Sequence, residues 1–144
     1  MTEQNFANHA KVVPPFHYFV MPVLVINFGW SVHRLAHTWF TWDALIGVFT
    51  AAALVTLMFL ARIFALRVQD RVIRMEERQR MSRLLPEALK PRIEEFTPGQ
   101  LIALRFASDA ELPALANKVL SENLTDLKTI KRMVQHWRPD YLRA

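Results

Sequence analysis

The stretch ALIGVFTAAALVTLMFLA, residues 44–61, decides the fold, because it contains no charged side chain. As a helix rising ~1.5 Å per residue it spans about 27 Å, close to the ~30 Å hydrocarbon core of a bilayer. The run from Val13 to Val32 has no acidic residue, lysine or arginine and is also long enough to cross. A remainder of this size could not cover two segments that are apolar on all sides. The sequence therefore predicts a transmembrane helical hairpin over residues 13–61.

The first apolar run could instead be a cleaved signal peptide. The residues before it lack a basic cluster, Pro22 interrupts it, and no small-residue cleavage site follows before the aromatic residues Trp30 to Trp42. We expect it to stay in the mature protein. Pro22 should also kink the first helix, because proline removes a backbone hydrogen bond.

Positive charge is concentrated directly after the second apolar run. The net charge of the chain is +5. Residues 62–85 contain seven basic and three acidic side chains, whereas basic and acidic side chains are equal in number in residues 1–61. A basic cluster beside a span marks the cytoplasmic face, so both termini are predicted to be cytoplasmic, with Ser31 to Asp43 as a short outer loop. The same clustering argues against a nucleic-acid partner, and the absence of cysteine excludes disulfides and thiolate metal sites.

The chain is predicted to be all-α, with four segments. Residues 1–12 form a cytoplasmic tail and 13–61 the hairpin. Because neither glycine nor proline occurs between Gly47 and Pro86, the second helix should continue as a basic cytoplasmic stalk over 62–85. On this stalk, Asp70 with Arg74 and Glu76 with Arg80 are spaced for i,i+4 ion pairs. Residues 86–144 form a small cytoplasmic helical domain.

Three amphipathic helices are predicted in that domain. Thr97 and Gln100 form a capping box around Pro98, and Ser108 with Glu111 repeats the signal. Thr125 caps a third helix whose apolar face extends to Trp137. A bundle of this size is marginal alone, so it should dock on the stalk, on another protomer or on a partner.

Histidines are the residues with chemical potential. His33 and His37 are spaced i,i+4, as in helical metal-binding pairs, although zinc normally takes three or four protein ligands. His17 or His33 could ligate haem or a pigment. The alternative is that all three are simple interfacial residues, and we expect no cofactor.

Other candidates concern packing and lipid. Asn27 is the one strongly polar residue of the first span and should bond Thr50 in the second, where Gly47 and Ala51 offer a small-residue surface. The arginines after the second span are topology markers that could also bind anionic headgroups. These are Arg62, Arg67, Arg71 and Arg74.

The blocks VQDRVIRMEER (68–78), TPGQLIALRFASDAELPAL (97–115) and ENLTDLKTIKRMV (122–134) resemble an uncharacterised family of short bacterial two-span inner-membrane proteins. The similarity extends to EQNFANH (3–9) and the hairpin. It implies the same layout in a bacterial inner membrane, and it supplies no activity or catalytic residue.

The functional hypothesis is a non-catalytic membrane scaffold or accessory subunit that binds a partner protein or a larger membrane complex. Its expected partners are membrane lipid and either other membrane subunits or a second copy of itself. An oligomeric transporter or channel component lined by Asn27, Thr50 and Thr56 is the first alternative. A haem- or pigment-binding subunit is the second.

Overall fold

The computed structural model of the chain describes residues 5, 6 and 11–140. These residues are helical or irregular, apart from one isolated antiparallel β-bridge between Ala107 and Trp137. The chain divides into two compact units, Lys11–Leu66 and the residues from Arg67 onward together with Phe6. The all-α fold with two long apolar helices is confirmed. Most of the predicted tail, 1–12, and residues 141–144 lie outside the described residues.

The first apolar helix begins with a π-helical segment, Pro15–Val20, and continues as helix α1, Met21–His37. Pro22 lies in the first turn of α1 and has no N–H to donate to the carbonyl of Tyr18. A π-helical turn has wider i→i+5 hydrogen bonding, so the irregularity expected from Pro22 takes the form of a π-segment directly before it.

A tight turn joins α1 to helix α2, which spans Trp42–Leu84. The predicted outer loop from Ser31 to Asp43 is therefore wrong in extent, since α1 runs on to His37. Arg34 Nη2 lies 2.6 Å from Asp43 Oδ2, so this ion pair bridges the turn. Trp39 and Phe40 in the turn have φ of 51° and 56°, the left-handed region that non-glycine residues rarely adopt.

Helix α2 is uninterrupted over 43 residues, or about 65 Å at ~1.5 Å per residue. The predicted continuation of the second span is thus present. The helix ends just before Pro86, whose ring disfavours helical geometry in the preceding residue.

In the unit Lys11–Leu66, α2 buries one seam of residues. Ala44, Ala51 and Met58 are buried at seven-residue intervals, whereas α1 contains no fully buried residue. A seven-residue repeat is the spacing of two helices that pack with a left-handed twist.

The second unit is a small helical domain that includes the end of α2. Its elements are a 3₁₀ helix, Lys90–Glu95, and helices α3, Pro98–Leu104, α4, Leu112–Ser121, and α5, Leu127–Met133. Met81 and Leu85 of α2 belong to its hydrophobic core, so the stalk supplies the support that the domain was expected to need. The other buried members of the core are Ile93, Phe96, Leu101, Ala103, Leu104, Ala107, Leu112, Leu115, Ala116, Val119, Ile130 and Val134.

The predicted capping box of α3 is present in full. Gln100 N donates to Thr97 Oγ1 at 3.3 Å, and Thr97 N donates to Gln100 Oε1 at 2.7 Å. Gln100 is itself buried, and its Nε2 donates to the carbonyl of Leu124 at 2.8 Å. This one side chain therefore caps α3 and also connects it to the segment before α5.

Two other predicted helix starts are displaced. Glu111 N donates to Ser108 Oγ at 3.3 Å, which is one half of the predicted capping box. The Glu111 carboxylate accepts from Gln135 N and His136 N, so it does not complete the box. Helix α4 begins at Leu112. The cap of α5 is Asp126, one residue after the predicted Thr125. Its carboxylate accepts from Thr129 N at 2.8 Å, and a carboxylate is the stronger acceptor.

Trp137 lies beyond the end of α5 and does not extend that helix's apolar face as predicted. Its ring packs against Phe106, with centroids 4.7 Å apart. The segment that carries it pairs with the residues after α3, since Ser108 N donates to His136 O and Arg138 N donates to Phe106 O.

Candidate functional site

A buried carboxylate, Glu77, lies in the part of α2 that belongs to the domain. Its side chain is only 4% exposed. Its Oε2 accepts a hydrogen bond from Arg80 Nη1 at 3.1 Å, and its Oε1 lies 3.5 Å from Arg138 Nη1. Removing a carboxylate from water is costly unless charged or polar groups replace the lost hydration, and two guanidinium groups do so here.

Arg80 is the centre of this network. Its Nε donates to Asp109 Oδ1 at 2.8 Å, and its Nη2 donates to the carbonyl of Ala107 at 2.7 Å. With Glu77 on Nη1, all three guanidinium nitrogens are engaged. A planar guanidinium holds such a fork of acceptors in a defined geometry, which a lysine could not reproduce. The predicted i,i+4 pair of Arg80 with Glu76 is therefore absent, because Arg80 turns toward the domain.

The β-bridge brings Arg138 to Glu77. The segment 135–138 is held by the backbone bonds around Ala107 and Trp137 and by the Glu111 carboxylate, which accepts from Gln135 N at 2.8 Å and His136 N at 3.1 Å. Nearby, Arg105 is buried, with its guanidinium 4.5 Å from the Phe106 ring centroid and its Nε 3.3 Å from Asp140 Oδ2. These contacts connect the carboxyl-terminal segment to α3.

Burial raises the pKa of the Glu77 carboxyl above its ordinary value, and the neighbouring Arg80 and Arg138 oppose that rise. Desolvation disfavours the charged carboxylate, whereas nearby positive charge favours it. The arrangement can therefore gain or lose a proton inside a packed core, and it can hold the domain to α2. We call Glu77, Arg80, Asp109 and Arg138 the Glu77 network.

The sequence analysis missed this network, although a signal was present. Ile73, Glu77, Met81 and Leu85 follow one another at four-residue intervals, and the three apolar members are buried. A glutamate in such a series lies on the buried face of a helix and requires a partner.

The predicted histidine pair is formed. The rings of His33 and His37 lie on one face near the end of α1, with centroids 4.3 Å apart, and Trp30 extends the stack at 5.7 Å from His33. Both histidines are exposed. Over the described residues, no group of three or more His, Asp or Glu side chains is arranged to hold a metal ion.

His17 lies in the π-helical segment and is half-buried. Its Nδ1 is 2.9 Å from the carbonyl of Val13 and 3.1 Å from Val13 N. The ring therefore interacts through Nδ1 with the backbone of Val13 at the start of the helix. A haem or pigment would have to bind through Nε2.

Of the four predicted packing residues, Ala51 alone is fully buried. Ala51 is 2% exposed and belongs to the buried seam of α2, and Gly47 is half-buried with open space where a Cβ would lie. Asn27 and Thr50 are both exposed, and within the described chain the Asn27 side-chain amide has no hydrogen-bond partner. The expected bond from Asn27 to Thr50 is therefore not formed.

The four predicted lipid-contact arginines follow one another along α2. Arg62 and Arg67 are closest to the apolar segment, and Arg74 lies about 18 Å farther along the helix than Arg62 at ~1.5 Å per residue. Arg67 and Arg71 are exposed, whereas Arg62 and Arg74 are half-buried. Arg74 Nε donates to the backbone carbonyl of Asp70 at 3.2 Å, and the predicted carboxylate pair of these two residues is not formed.

Comparison with known proteins places the chain in a family. No curated protein and no solved structure matches it. A family described as "Family of unknown function (DUF6526)" matches residues 1–144, the whole chain, which agrees with the resemblance seen in the sequence blocks. The chain therefore belongs to this family of unknown function.

Proposed function

We propose that the protein is a non-catalytic membrane scaffold or accessory subunit, held in a bilayer by the hairpin and binding a partner protein. The observation that carries the proposal is the exposure of the hairpin's apolar surface. In the most apolar 18-residue stretch of the first helix, 0% of the residues are buried. In the corresponding stretch of the second helix, 17% are buried. A core helix of a soluble protein would be mostly covered, and exposed apolar area on this scale requires lipid or protein.

The side chains on that surface are large. Ile26, Phe49 and Leu57 are 70%, 67% and 62% exposed, and the turn presents Trp39 and Trp42 to solvent. Aliphatic and phenyl side chains suit the hydrocarbon core, and tryptophan suits the headgroup region. Lipid is therefore the covering that fits most of this surface.

The distribution of charge supports an orientation with the domain in the cytoplasm of a bacterial cell. At the turn, the positive charge of Arg34 is neutralised by Asp43 at 2.6 Å. The exposed Arg67 and Arg71 lie at the other end of the second span. Phe6 contacts Arg132 of the domain, with the guanidinium 5.3 Å from the ring centroid, as expected if the chain crosses the membrane an even number of times.

Asn27 supports a lateral protein partner within the membrane. Its amide lies on the exposed side of α1 and lacks a hydrogen bond within the described chain. A side-chain amide in hydrocarbon is stabilised when a neighbouring helix offers a hydrogen bond. The partner helix can come from a larger complex or from another copy. The channel alternative would use the same exposed Asn27 and Thr50 to line a path between copies.

The test combines extraction with labelling. Membranes containing the full chain with a carboxyl-terminal tag are washed with alkaline carbonate, and only detergent should release the protein. Because the chain has no cysteine, Thr41→Cys and Ser82→Cys can be labelled separately with a membrane-impermeant maleimide. In intact cells the outer position should react and Ser82→Cys should react only after lysis. Release by carbonate would overturn membrane insertion, and the reverse labelling would overturn the orientation.

Partner binding is tested on the same material. The tagged protein is purified in a mild detergent and the co-purifying proteins are identified by mass spectrometry. A stoichiometric membrane protein that is retained through sizing supports an accessory subunit. A preparation that contains only this chain overturns that role and favours self-assembly.

A further inference from the structure

The part of α2 beyond the apolar segment has an uncovered apolar face. Val68, Val72 and Met75 are 62%, 47% and 73% exposed, although the opposite side of the same helix buries Ile73 and Met81. The three exposed residues and Gln79 are separated by four, three and four positions. This is the a/d spacing of a heptad repeat, with Val72 and Gln79 at a and Val68 and Met75 at d.

The charges beside this face suit a second copy of the chain. In a parallel in-register pair, position g of one helix lies beside position e of the next heptad in its partner. Here position g is Arg71 and the corresponding e position is Glu76, so a twofold pair would contain the opposite-charge contact twice. Both residues are exposed, and neither has an ion pair within the described chain.

The charge of Glu76 is free because of the structure already described. Glu76 loses its predicted partner, since Arg80 is engaged by Glu77, Asp109 and Ala107. The next g position, Arg78, would meet a second arginine, Arg83, at e. Arg78 is held by Glu94 at 2.9 Å, which neutralises the charge that would otherwise repel.

We propose that two copies of the chain pair through residues 68–79 as a parallel, in-register helix dimer, with Arg71 of each copy beside Glu76 of the other. The proposal rests on the membrane insertion proposed above, because insertion makes the two helices parallel and confines them at high effective concentration. Confinement allows a short apolar seam to associate. Opposite charges at positions g and e favour the parallel orientation of the pair.

Single cysteines test the geometry in membranes that contain the full chain. Val68→Cys, Val72→Cys and Met75→Cys are oxidised mildly, and the disulfide-linked dimer is measured on a non-reducing gel. Arg67→Cys is the matched control, because it is exposed and adjacent to Val68 but lies off the seam. A disulfide forms only when the two Cα atoms approach within ~7 Å, so we expect at least about fivefold more dimer at the seam positions.

Charge reversal tests the pairing. In the Val72→Cys background, Arg71→Glu or Glu76→Arg alone should reduce the disulfide-linked dimer, because each places like charges together twice. The double reversal should restore it. Equal cross-linking at Arg67→Cys, or a double variant no better than the single ones, would overturn the dimer. If either of these results is obtained with protein that stays in the membrane after the carbonate wash, only the dimer proposal fails. If carbonate releases the protein, the membrane proposal fails.

Discussion

Glu77 and Arg80 form a buried ion pair one helical turn apart, with 3.1 Å between Oε2 and Nη1 and side-chain exposures of 4% and 11%. Both residues are on α2, yet Arg80 also binds Asp109 and the carbonyl of Ala107 in the domain. The pair is therefore part of the contact between the helix and the rest of the core.

Glu77→Ala should destabilise the domain by about 1–3 kcal/mol, because it leaves the buried Arg80 Nη1 without an acceptor while Asp109 and the carbonyl of Ala107 keep the other two nitrogens bonded. The measurement is chemical unfolding of the full chain in detergent, followed by circular dichroism. Glu94→Ala is the matched control, since its pair with Arg78 is exposed and should be worth less than about 1 kcal/mol. Similar effects from the two substitutions would contradict a structural role for the Glu77 network.

Stability should fall as pH rises through the range that begins near 4.5, the ordinary pKa of a glutamate, and extends to the raised pKa of Glu77. Within that range the folded state binds more protons than the unfolded state, so the free energy of unfolding decreases with pH. Glu77→Gln keeps the shape and removes the titration. Its unfolding free energy should have a smaller downward slope, measured by denaturation at several pH values. Parallel curves for both proteins would refute the prediction.

Thr97→Ala should cost about 0.5–2 kcal/mol, because it removes the side-chain acceptor that caps α3. Thr125→Ala should change the unfolding free energy by less than about 0.5 kcal/mol, since Asp126 is the residue that caps α5. Both are compared with the parent by thermal unfolding in detergent. If Thr125→Ala were the more damaging, the position of the α5 cap would be wrong.

Trp39→Gly should stabilise the hairpin turn by about 1 kcal/mol, because glycine adopts positive φ without the clash that an L side chain has. Trp39 is 94% exposed, so little packing is lost within the chain. Trp42→Gly is the control with the opposite sign, since Trp42 is helical and glycine weakens helices. Unfolding of the two variants by titration with sodium dodecyl sulfate gives the comparison.

Asn27→Leu should weaken lateral association in the membrane by about 3- to 30-fold, the effect of one interhelical hydrogen bond. The measurement is the amount of partner or second copy retained in mild detergent. Asn27→Gln should keep part of the association because it keeps the amide. Val25→Leu, on the same exposed helix, should have no effect. Unchanged retention in Asn27→Leu would show that this amide does not bind a neighbour.

The long helices and the first cap could be predicted from sequence because they depend on local patterns. The absence of glycine and proline gave α2 its continuity, and the spacing of Thr97 and Gln100 predicted the capping box that is observed. Both signals involve residues within one or two turns of each other. No long-range contact was needed to interpret them.

The remaining features depend on contacts between distant residues. Glu111 looked like half of a capping box, but Gln135 and His136 offer it two backbone donors from 24 and 25 residues away. Arg80 looked like a partner for Glu76 until Asp109 and Ala107 competed for it. The predicted bond from Asn27 to Thr50 failed because matching depth does not determine which side of a helix faces its neighbour.

The contact between Phe6 and Arg132 has a consequence for biosynthesis. Arg132 is synthesised after Phe6 and after both long helices, so this contact can form only once α1 and α2 have been made. A ribosome therefore delivers Phe6 early, but the contact of Phe6 with Arg132 forms late. Residues 11–66 thus separate two parts of one compact unit in the sequence, and a fusion that shields Phe6 should delay the completion of that unit.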